Sequence, residues 1–233
     1  MSQMTLQEAY QRILVLKDSK SILPSAVPDH HFLQAFNAFG IDVKGSVKLN
    51  LNSKDKGSWG KALEIWLGLR NGSHKLDFSD GELKTGTIKK NRLAEDFRIC
   101  NVWDKKYIRE KCNNVLVVLK DESGIIRYVE KMNLLSHPIY SKLFEEEFDK
   151  IMKIGLSKVS QSDTNIWIAK SQSVVGAPKS RSLYISGPFA SRLFGLSYSR
   201  SPKNVRVHSE IDALTTTTTN VNDFLLTNEH AAG

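Results

Sequence analysis

The sequence predicts an α/β fold, in which a mixed β-sheet is flanked by helices. Apolar residues recur at helical spacing, or surround a helix, in three segments, at 5–17, 59–69 and 140–154. Short runs rich in β-branched and aromatic residues lie between the last two of them, at 98–103, 115–120 and 125–132. Helical and extended segments that alternate in this way favour a sheet with helices packed on it.

The length of the chain, 233 residues, suits one domain with a sizeable core and is too short for two large ones. We expect that domain at 1–202 and a polar, flexible tail at 203–233, where five threonines follow one another. No signal peptide and no apolar run of 18 residues is evident. Cys100 and Cys112 form no CxxC pair, so neither a zinc site nor a disulfide framework is indicated. A cytoplasmic protein fits these features.

The first predicted helix, at 5–17, is followed by two prolines, which break the chain before a second short helix at 31–39. Residues 41–58 are polar and lysine-rich, which indicates a loop. The next helix, at 59–69, carries apolar side chains on most of its sides and should be buried. Glu64 lies in the middle of this helix, and a buried carboxylate needs an ion-pair partner or a metal.

A tight turn at Ser79-Asp80-Gly81 is predicted between Asp77 and the segment Glu82-Leu83-Lys84. Glycine suits such a turn because it adopts positive φ without a Cβ clash. If a strand returns from the turn, its two-residue period places Glu82 and Lys84 on one face. Two carboxylates beside an ammonium group suit a divalent cation and a water held for attack on a phosphate. The alternatives are a solvated hairpin with an exposed ion pair and, for Glu64, a structural ion pair.

Beyond this hairpin, the strands at 98–103, 115–120 and 125–132 are expected to complete one mixed sheet. The helix at 140–154 should pack on it, with residues 145–147, three glutamates, on its solvated face. Two short strands, at 165–170 and 182–186, and a short helix at 189–196 complete the predicted domain.

The segment 164–209 contains no acidic residue. Its basic residues include Lys170, Lys179 and Arg181, and its aromatic residues are Trp167, Tyr184, Phe189, Phe194 and Tyr198. Basic charge interleaved with aromatics is typical of a nucleic-acid surface, and the chain as a whole has a net charge of +8. We therefore expect Lys170, Lys179 and Arg181 to contact DNA. The alternative is an ordinary basic surface over a core that holds the aromatics.

Several of these segments together resemble the active-site region of the MutH family. The likeness is carried by 55–68 (DKGSWGKALEIWLG), Gly72-Ser73, Asp77-Phe78 and 81–85 (GELKT). It continues more thinly through 107–111, 114–119, 145–152, 182–185 and Phe189, and so covers about 50–195. The family contains the strand-nicking endonuclease of mismatch repair and type II restriction endonucleases that cut at GATC, within the wider PD-(D/E)XK nuclease fold.

The resemblance implies a restriction-endonuclease-like fold, with a catalytic core at about 50–120 and a DNA-contacting part at about 160–202. It implies a catalytic centre made of Glu64, Asp77, Glu82 and Lys84, with Lys111 as an accessory lysine. Mg²⁺ would be bound by Asp77, Glu82, Glu64 and the backbone carbonyl of Leu83. Lys56, Lys170 and Tyr184 match or lie near positions that touch DNA in the family.

The sequence therefore predicts a Mg²⁺-dependent, site-specific endonuclease that acts on double-stranded DNA. A type II restriction endonuclease for GATC or a related short site is favoured, because a basic chain can find DNA unaided. The first alternative is a MutH-type enzyme that nicks one strand at hemimethylated GATC and depends on a mismatch-repair ATPase. The second is a DNA-binding module that has lost the chemistry. A palindromic target cut on both strands implies a homodimer or sequential nicks.

Overall fold

A four-stranded mixed β-sheet forms the centre of the protein in the computed structural model, which describes residues 4–18, 58–69, 76–171, 181–197 and 209. Its strands in sequence order are β1 (Glu82–Lys89), β2 (Arg92–Leu93), β4 (Val115–Lys120) and β5 (Ile126–Met132). Their order across the sheet is β2-β1-β4-β5. Strands β1 and β4 run parallel, whereas the other two pairings are antiparallel. A mixed sheet flanked by helices, as predicted, is confirmed.

The helices of the described residues are α1 (Leu6–Leu14), α2 (Ser58–Trp66), α3 (Lys105–Asn113), α4 (Pro138–Ile154) and α5 (Gly187–Leu193). A 3₁₀ turn covers Gln161–Asp163. The helix predicted at 31–39, the tail at 203–233 apart from Ser209, and the loop at 41–58 apart from Ser58 lie outside the described residues. The other predicted helices are confirmed, with ends that differ by a few residues.

The start of helix α1 is fixed by a reciprocal pair of hydrogen bonds. The hydroxyl of Thr5 accepts from the amide of Glu8 (3.2 Å), and the carboxylate of Glu8 accepts from the amide of Thr5 (2.8 Å). Because the first amides of a helix lack partners inside it, such a capping box stabilises the N-terminus. The buried face of α1 (Leu6, Ala9 and Ile13) then packs against the central sheet.

The two faces of the sheet bury separate apolar clusters, and β1 contributes to both. Leu83 packs with Leu6, Leu63, Phe78 and Leu116 under α1 and α2. Ile88 packs on the other side, in the larger cluster that includes residues of α3 and α4. Since side chains alternate along a strand, Glu82 and Lys84 face away from the Leu83 side. The side chain of Glu82 therefore lies on the α3 side of the sheet.

A second sheet has three antiparallel strands in the order β3-β7-β6. They are β3 (Phe97–Cys100), β6 (Trp167–Ser171) and β7 (Arg181–Ile185). The prediction that the strand at 98–103 completes the mixed sheet was wrong, because β3 pairs with β7 instead. Strand patterns in a sequence indicate an extended segment but do not name its partner, which here lies more than 80 residues away.

The amphipathic helix predicted at 140–154 is confirmed as α4, but its three glutamates at 145–147 do not all face solvent. Glu147 is buried, contrary to the expectation of a solvated face at 145–147. Its carboxylate accepts hydrogen bonds from the amides of Asn165 (2.5 Å), Ile166 (3.1 Å) and Trp167 (2.7 Å). Buried amides need acceptors, so this single side chain fixes the entry of the chain into β6.

We predict that Glu147→Gln lowers the free energy of unfolding by about 1–3 kcal/mol, because an amide supplies one acceptor oxygen and places a donor against backbone donors. Chemical denaturation measures the change. Glu146→Gln, on the exposed side of the same helix, is the matched control and should change stability by less than about 0.5 kcal/mol. Equal effects of the two substitutions would contradict the role given to Glu147.

Candidate active site

The chain enters β1 through the loop 76–81, which differs from the predicted hairpin. Residues 76–80 form bends, and no strand precedes β1 within 76–81. Gly81 does not have a positive φ. Glycine is required for a different reason: a Cβ at Gly81 would lie 2.5 Å from Cδ1 of Leu6 and 2.6 Å from the carbonyl oxygen of Asn114. Close packing rather than turn geometry therefore explains the glycine.

The loop is held in place by contacts at both of its sides. The carboxylate of Asp80 accepts from the amide of Leu6 (2.7 Å), which joins the loop to α1. The side-chain amide of Asn114 donates to the carbonyl of Asp80 (2.7 Å), and the amide of Glu82 donates to the carbonyl of Asn114 (2.9 Å). Asp77, at the start of the loop, is thereby brought back to β1. Its Oδ2 accepts from the amide of Leu83 (2.9 Å).

Glu82 is the centre of the site. It is buried, with 3 % of its surface exposed, and each of its carboxylate oxygens has a lysine partner. Nζ of Lys84 lies 2.6 Å from Oε1, and Nζ of Lys111 lies 2.6 Å from Oε2. Lys84 is two residues along the same strand, whereas Lys111 comes from α3. The structure thus brings together four of the predicted site residues: Asp77, Glu82, Lys84 and Lys111.

The surroundings of Asp77 disfavour its ionised form. Burial raises the pKa of Asp77, as does the neighbouring negative charge of Glu82, and the Leu83 amide and the two lysines only partly offset this. Burial opposes the charged form of Lys111, but the hydrogen bond and charge of Glu82 outweigh it and raise the pKa of Lys111. A further positive charge near Asp77 would therefore stabilise its ionised form.

The predicted backbone ligand, the carbonyl of Leu83, lies on the same edge of β1 as Asp77. In a parallel pair, the amide and carbonyl of one residue point to the same side of the strand. Glu82 directs its amide toward the β4 side, where Asn114 accepts it. Leu83, the next residue, directs its amide to Asp77 on the opposite edge, and its carbonyl oxygen points the same way.

Glu64 lies in α2 and is half-buried. Gly60, one turn earlier on the same face of the helix, contacts β1 so closely that a Cβ there would lie 2.7 Å from Oγ1 of Thr85. The helix therefore packs next to β1, but its buried residues Leu63 and Leu67 belong to the cluster on the Leu83 side. That Glu64 joins Asp77 and Glu82 around a cation stays a prediction.

Within the described residues, no group of three or more His, Cys, Asp or Glu side chains is arranged to hold a metal ion. Two carboxylates with a carbonyl nearby nevertheless suit Mg²⁺, which proteins bind through one or two carboxylates together with water and substrate phosphate. Burial, and after it the charge of Glu82, raises the pKa of Asp77, and a bound cation would offset both effects. The residues present fit a Mg²⁺ ion that binds together with a phosphate.

The residues predicted to contact DNA fall into two groups. Lys56 and Lys179 lie outside the described residues. Lys170 pairs with Asp96 (2.6 Å) and lies over the ring of Tyr184, with its Nζ 5.6 Å from the ring centroid. Arg181 donates to the carbonyl of Val159 (2.6 Å), so part of its guanidinium group supports the fold.

The aromatic residues of the acid-free segment are mostly part of the core. Trp167, Phe189 and Phe194 are buried, and Tyr184 is half-buried. Of the residues described, these three therefore belong to the interior, as the alternative interpretation of this segment required.

Two residues of the site were not found from the sequence. Asn114 fixes the loop and β1 through its carbonyl and its side-chain amide. Tyr107, one turn before Lys111 in α3, places its ring 5.5 Å from Nζ of that lysine. No helix was predicted at 105–113, so the spacing that places Tyr107 beside Lys111 was not recognised. Nothing in the sequence indicates the role of Asn114.

Comparison with known proteins adds no family assignment: no protein-family model matches the chain, and neither does any curated protein. In the described part of the chain, no helix combines the length and the apolar character that a membrane span requires.

We predict that Asp77→Asn raises the melting temperature at pH 7 in the absence of divalent cations. The folded-state pKa of Asp77 is above its ordinary value, so stability falls as pH rises through that window, and the neutral amide avoids this loss. Asparagine also keeps an acceptor for the Leu83 amide. The gain should shrink as the pH is lowered toward the ordinary range of aspartate. Melting curves with EDTA across this range measure it, with the exposed Glu130→Gln as the control; a lower melting temperature at pH 7 would refute it.

A second prediction concerns the ion pair of Lys111. Lys111→Met should destabilise the protein by about 2–4 kcal/mol, because it removes one partner of a buried carboxylate. The double variant Glu82→Gln/Lys111→Met should recover at least half of this loss, since it also removes the buried carboxylate, and Lys84, which then loses its partner, is partly exposed to water. Denaturant titrations give both values. Lys106→Met, an exposed lysine of the same helix, is the control, and equal losses in the single and double variants would exclude the ion pair as the cause.

Proposed function

We propose that this protein is a Mg²⁺-dependent endonuclease of duplex DNA with a restriction-endonuclease-like fold, similar to the MutH family. The observation that carries the proposal is the gathering of Asp77, Glu82, Lys84 and Lys111 at the beginning of β1. Charged side chains are costly to bury, and here two acids and two lysines are collected in a partly enclosed place. A cluster of this composition suits phosphodiester hydrolysis.

The connection of the central strands also supports the proposal. Strand β1 carries Glu82 and Lys84, the chain then passes through α3, which carries Lys111, and it returns in β4 parallel to β1. The parallel pairing sets Glu82 beside Val115 in register, directly after the end of α3. The strand and the helix that supply the site are therefore fixed to each other by the sheet.

In the proposed reaction, Asp77 and Glu82 would hold the metal, with the Leu83 carbonyl on the same edge as Asp77. Bound Mg²⁺ supplies neutralisation of the charge that develops on the phosphate and lowers the pKa of water. Lys84 is partly exposed and pairs with Glu82, and it would donate a hydrogen bond to the attacking water. Lys111 is more deeply buried and holds the carboxylate of Glu82 in orientation. The water oxygen would bond to phosphorus as the bond from phosphorus to the 3′ oxygen breaks. The water loses a proton and the 3′ oxygen takes one up from solvent, so that the products are a 5′-phosphate and a 3′-hydroxyl.

For the biological role, we propose a type II restriction endonuclease for GATC or a related short site. The net charge of +8 supports it, because basic charge increases affinity for DNA without a partner. A MutH-type nicking enzyme is the alternative. Purified protein, plasmid and Mg²⁺ distinguish the two: discrete linear fragments support restriction, whereas slow nicking that a mismatch-repair ATPase stimulates supports the alternative.

We predict that Glu82→Gln and Lys84→Met each reduce plasmid cleavage by at least about 100-fold, while duplex binding persists. Glutamine removes a metal-binding charge, and methionine removes the donor to the attacking water. Single-turnover cleavage measures the rates, and a mobility-shift titration measures binding. Lys153→Met, an exposed lysine on α4, is the control and should cleave at the original rate.

The same experiment tests the assignment of the site against a DNA-binding module that has no chemistry. If the unaltered protein binds DNA but does not cleave it in Mg²⁺, the nuclease proposal is wrong. If it cleaves and both variants cleave equally well, the site lies elsewhere.

A further inference from the structure

A basic hairpin continues from the catalytic strand. Strand β1 runs from Glu82 to Lys89, and β2 returns at Arg92, with Ile88 paired to Leu93 and Lys89 paired to Arg92. Lys89, Lys90 and Arg92 are exposed, and together with Asn91 they form the tip of the hairpin. We call these four residues the hairpin tip. At about 3.3 Å per residue, Lys89 lies about 17 Å along the strand from Lys84.

The backbone of the hairpin tip is unusual for its sequence. Lys90 and Asn91 both have positive φ, 51° and 57°. Two-residue hairpin turns with this geometry favour Asn-Gly or Gly-Gly, and a lysine in the left-handed region is unfavourable. Folding alone therefore favours glycine at this turn, yet a cation occupies it.

The hairpin tip is also anchored. The amide of Ser197 donates to the carbonyl of Asn91 (2.8 Å), and the side-chain amide of Asn91 donates to the hydroxyl of Ser197 (3.1 Å). These bonds fix the direction of the tip relative to the segment after α5. The charges of Lys89, Lys90 and Arg92 are consequently presented on a positioned turn.

The charges around the hairpin tip leave it basic. Lys89 pairs with Glu122 at 2.6 Å, but both side chains are more than half exposed, and exposed pairs of this kind are weak and exchange readily. The other nearby acid of that loop, Asp121, is occupied by Arg127 and by the amides of Ser123 and Ile125.

A groove beside the hairpin tip continues the basic surface. A cavity of about 490 Å³ is lined by Lys89 and Arg92 on the hairpin and by Lys170 on β6. Glu95 and Asp96 line it too, and Asp96 is engaged by Lys170 and by the amide of Gly187. Because Asp96 balances Lys170, the excess positive charge of the groove comes from Lys89 and Arg92 on the hairpin, and Glu95 is the other acid of the lining. A basic wall about 17 Å along β1 from Lys84 suits a linear polyanion, because duplex DNA carries phosphates at about 3.4 Å per strand along its axis.

We propose that the hairpin tip binds DNA phosphates about five base pairs from the cleaved bond, independently of sequence. This inference rests on the proposed function. Its role is to align the duplex along β1, so that a phosphate reaches Asp77 and Glu82 at the other end of the strand. The tip makes no contribution to the chemical step itself.

The salt dependence of DNA binding tests this inference. Affinities of the full chain for a mixed-sequence duplex longer than two helical turns are measured over a series of KCl concentrations in EDTA. In the variant Lys89→Gln/Lys90→Gln/Arg92→Gln, the slope of log affinity against log salt should fall in magnitude by about 2–3, since each phosphate contact contributes about 0.9. With Mg²⁺, KM should rise while kcat stays unchanged.

The matched control is Lys142→Gln/Lys153→Gln/Lys158→Gln, which removes the same charge from exposed lysines in and just after α4. Its slope should stay that of the unaltered protein. The inference is overturned if the slope of the hairpin variant is unchanged, or if the slope of the control falls equally. In either case, the proposed function still stands if the unaltered protein binds and cleaves DNA. Unaltered protein that neither binds nor cleaves DNA overturns both. Melting curves show whether each variant is folded.

Discussion

The shared carboxylate of Glu82 is the interaction on which the site depends. A carboxylate buried to this extent needs compensation on both oxygens, and Lys84 and Lys111 supply it from different elements. The pairing therefore fixes the position of α3 relative to β1 as well as the charge of the site. Replacing the cluster by apolar residues of similar volume would cost the fold little. Stability alone therefore gives little reason for four charged groups in one place, and the proposed chemistry would supply one.

The loop before β1 makes the site dependent on parts of the chain that are distant in sequence. Asp80 accepts from Leu6 in α1, and Asn114 holds both Asp80 and Glu82 after the end of α3. Gly81 allows these two elements to approach, because any side chain there would meet both Leu6 and Asn114. The distance between Asp77 and Glu82 is consequently set by the packing of α1 and by the α3–β4 junction, and local turn preference has little part in it.

This dependence explains which features could be predicted from the sequence. The period of two placed Glu82 and Lys84 on one face, and helical patterns located α1, α2 and α4, because these signals are local. Lys111 entered only through the resemblance to the MutH family, since no spacing links it to Glu82. The conformation of 76–81, the partner of β3 and the burial of Glu147 depend on tertiary contacts. The aromatic residues of the basic segment at 164–209 suggested a nucleic-acid surface, but several of them are buried. Composition does not distinguish a buried aromatic residue from an exposed one.

The charge balance of the cluster suggests how metal and substrate would act on each other. With all four groups ionised, two carboxylates and two ammonium groups cancel, so a cation alone gains from Asp77 and Glu82 but is repelled by Lys84 and Lys111. A phosphate alone is attracted by Lys84 and Lys111 but is repelled by Asp77 and Glu82. When the cation and the phosphate bind together, each reduces the repulsion that the other meets. Such coupling is reciprocal: each ion increases the affinity for the other by the same free energy. Asp77, whose pKa is raised by burial and by Glu82, gains most from the cation. In the proposed enzyme, the site would therefore favour Mg²⁺ mainly when a phosphodiester is present, which restricts the hydrolytic arrangement to DNA-bound protein.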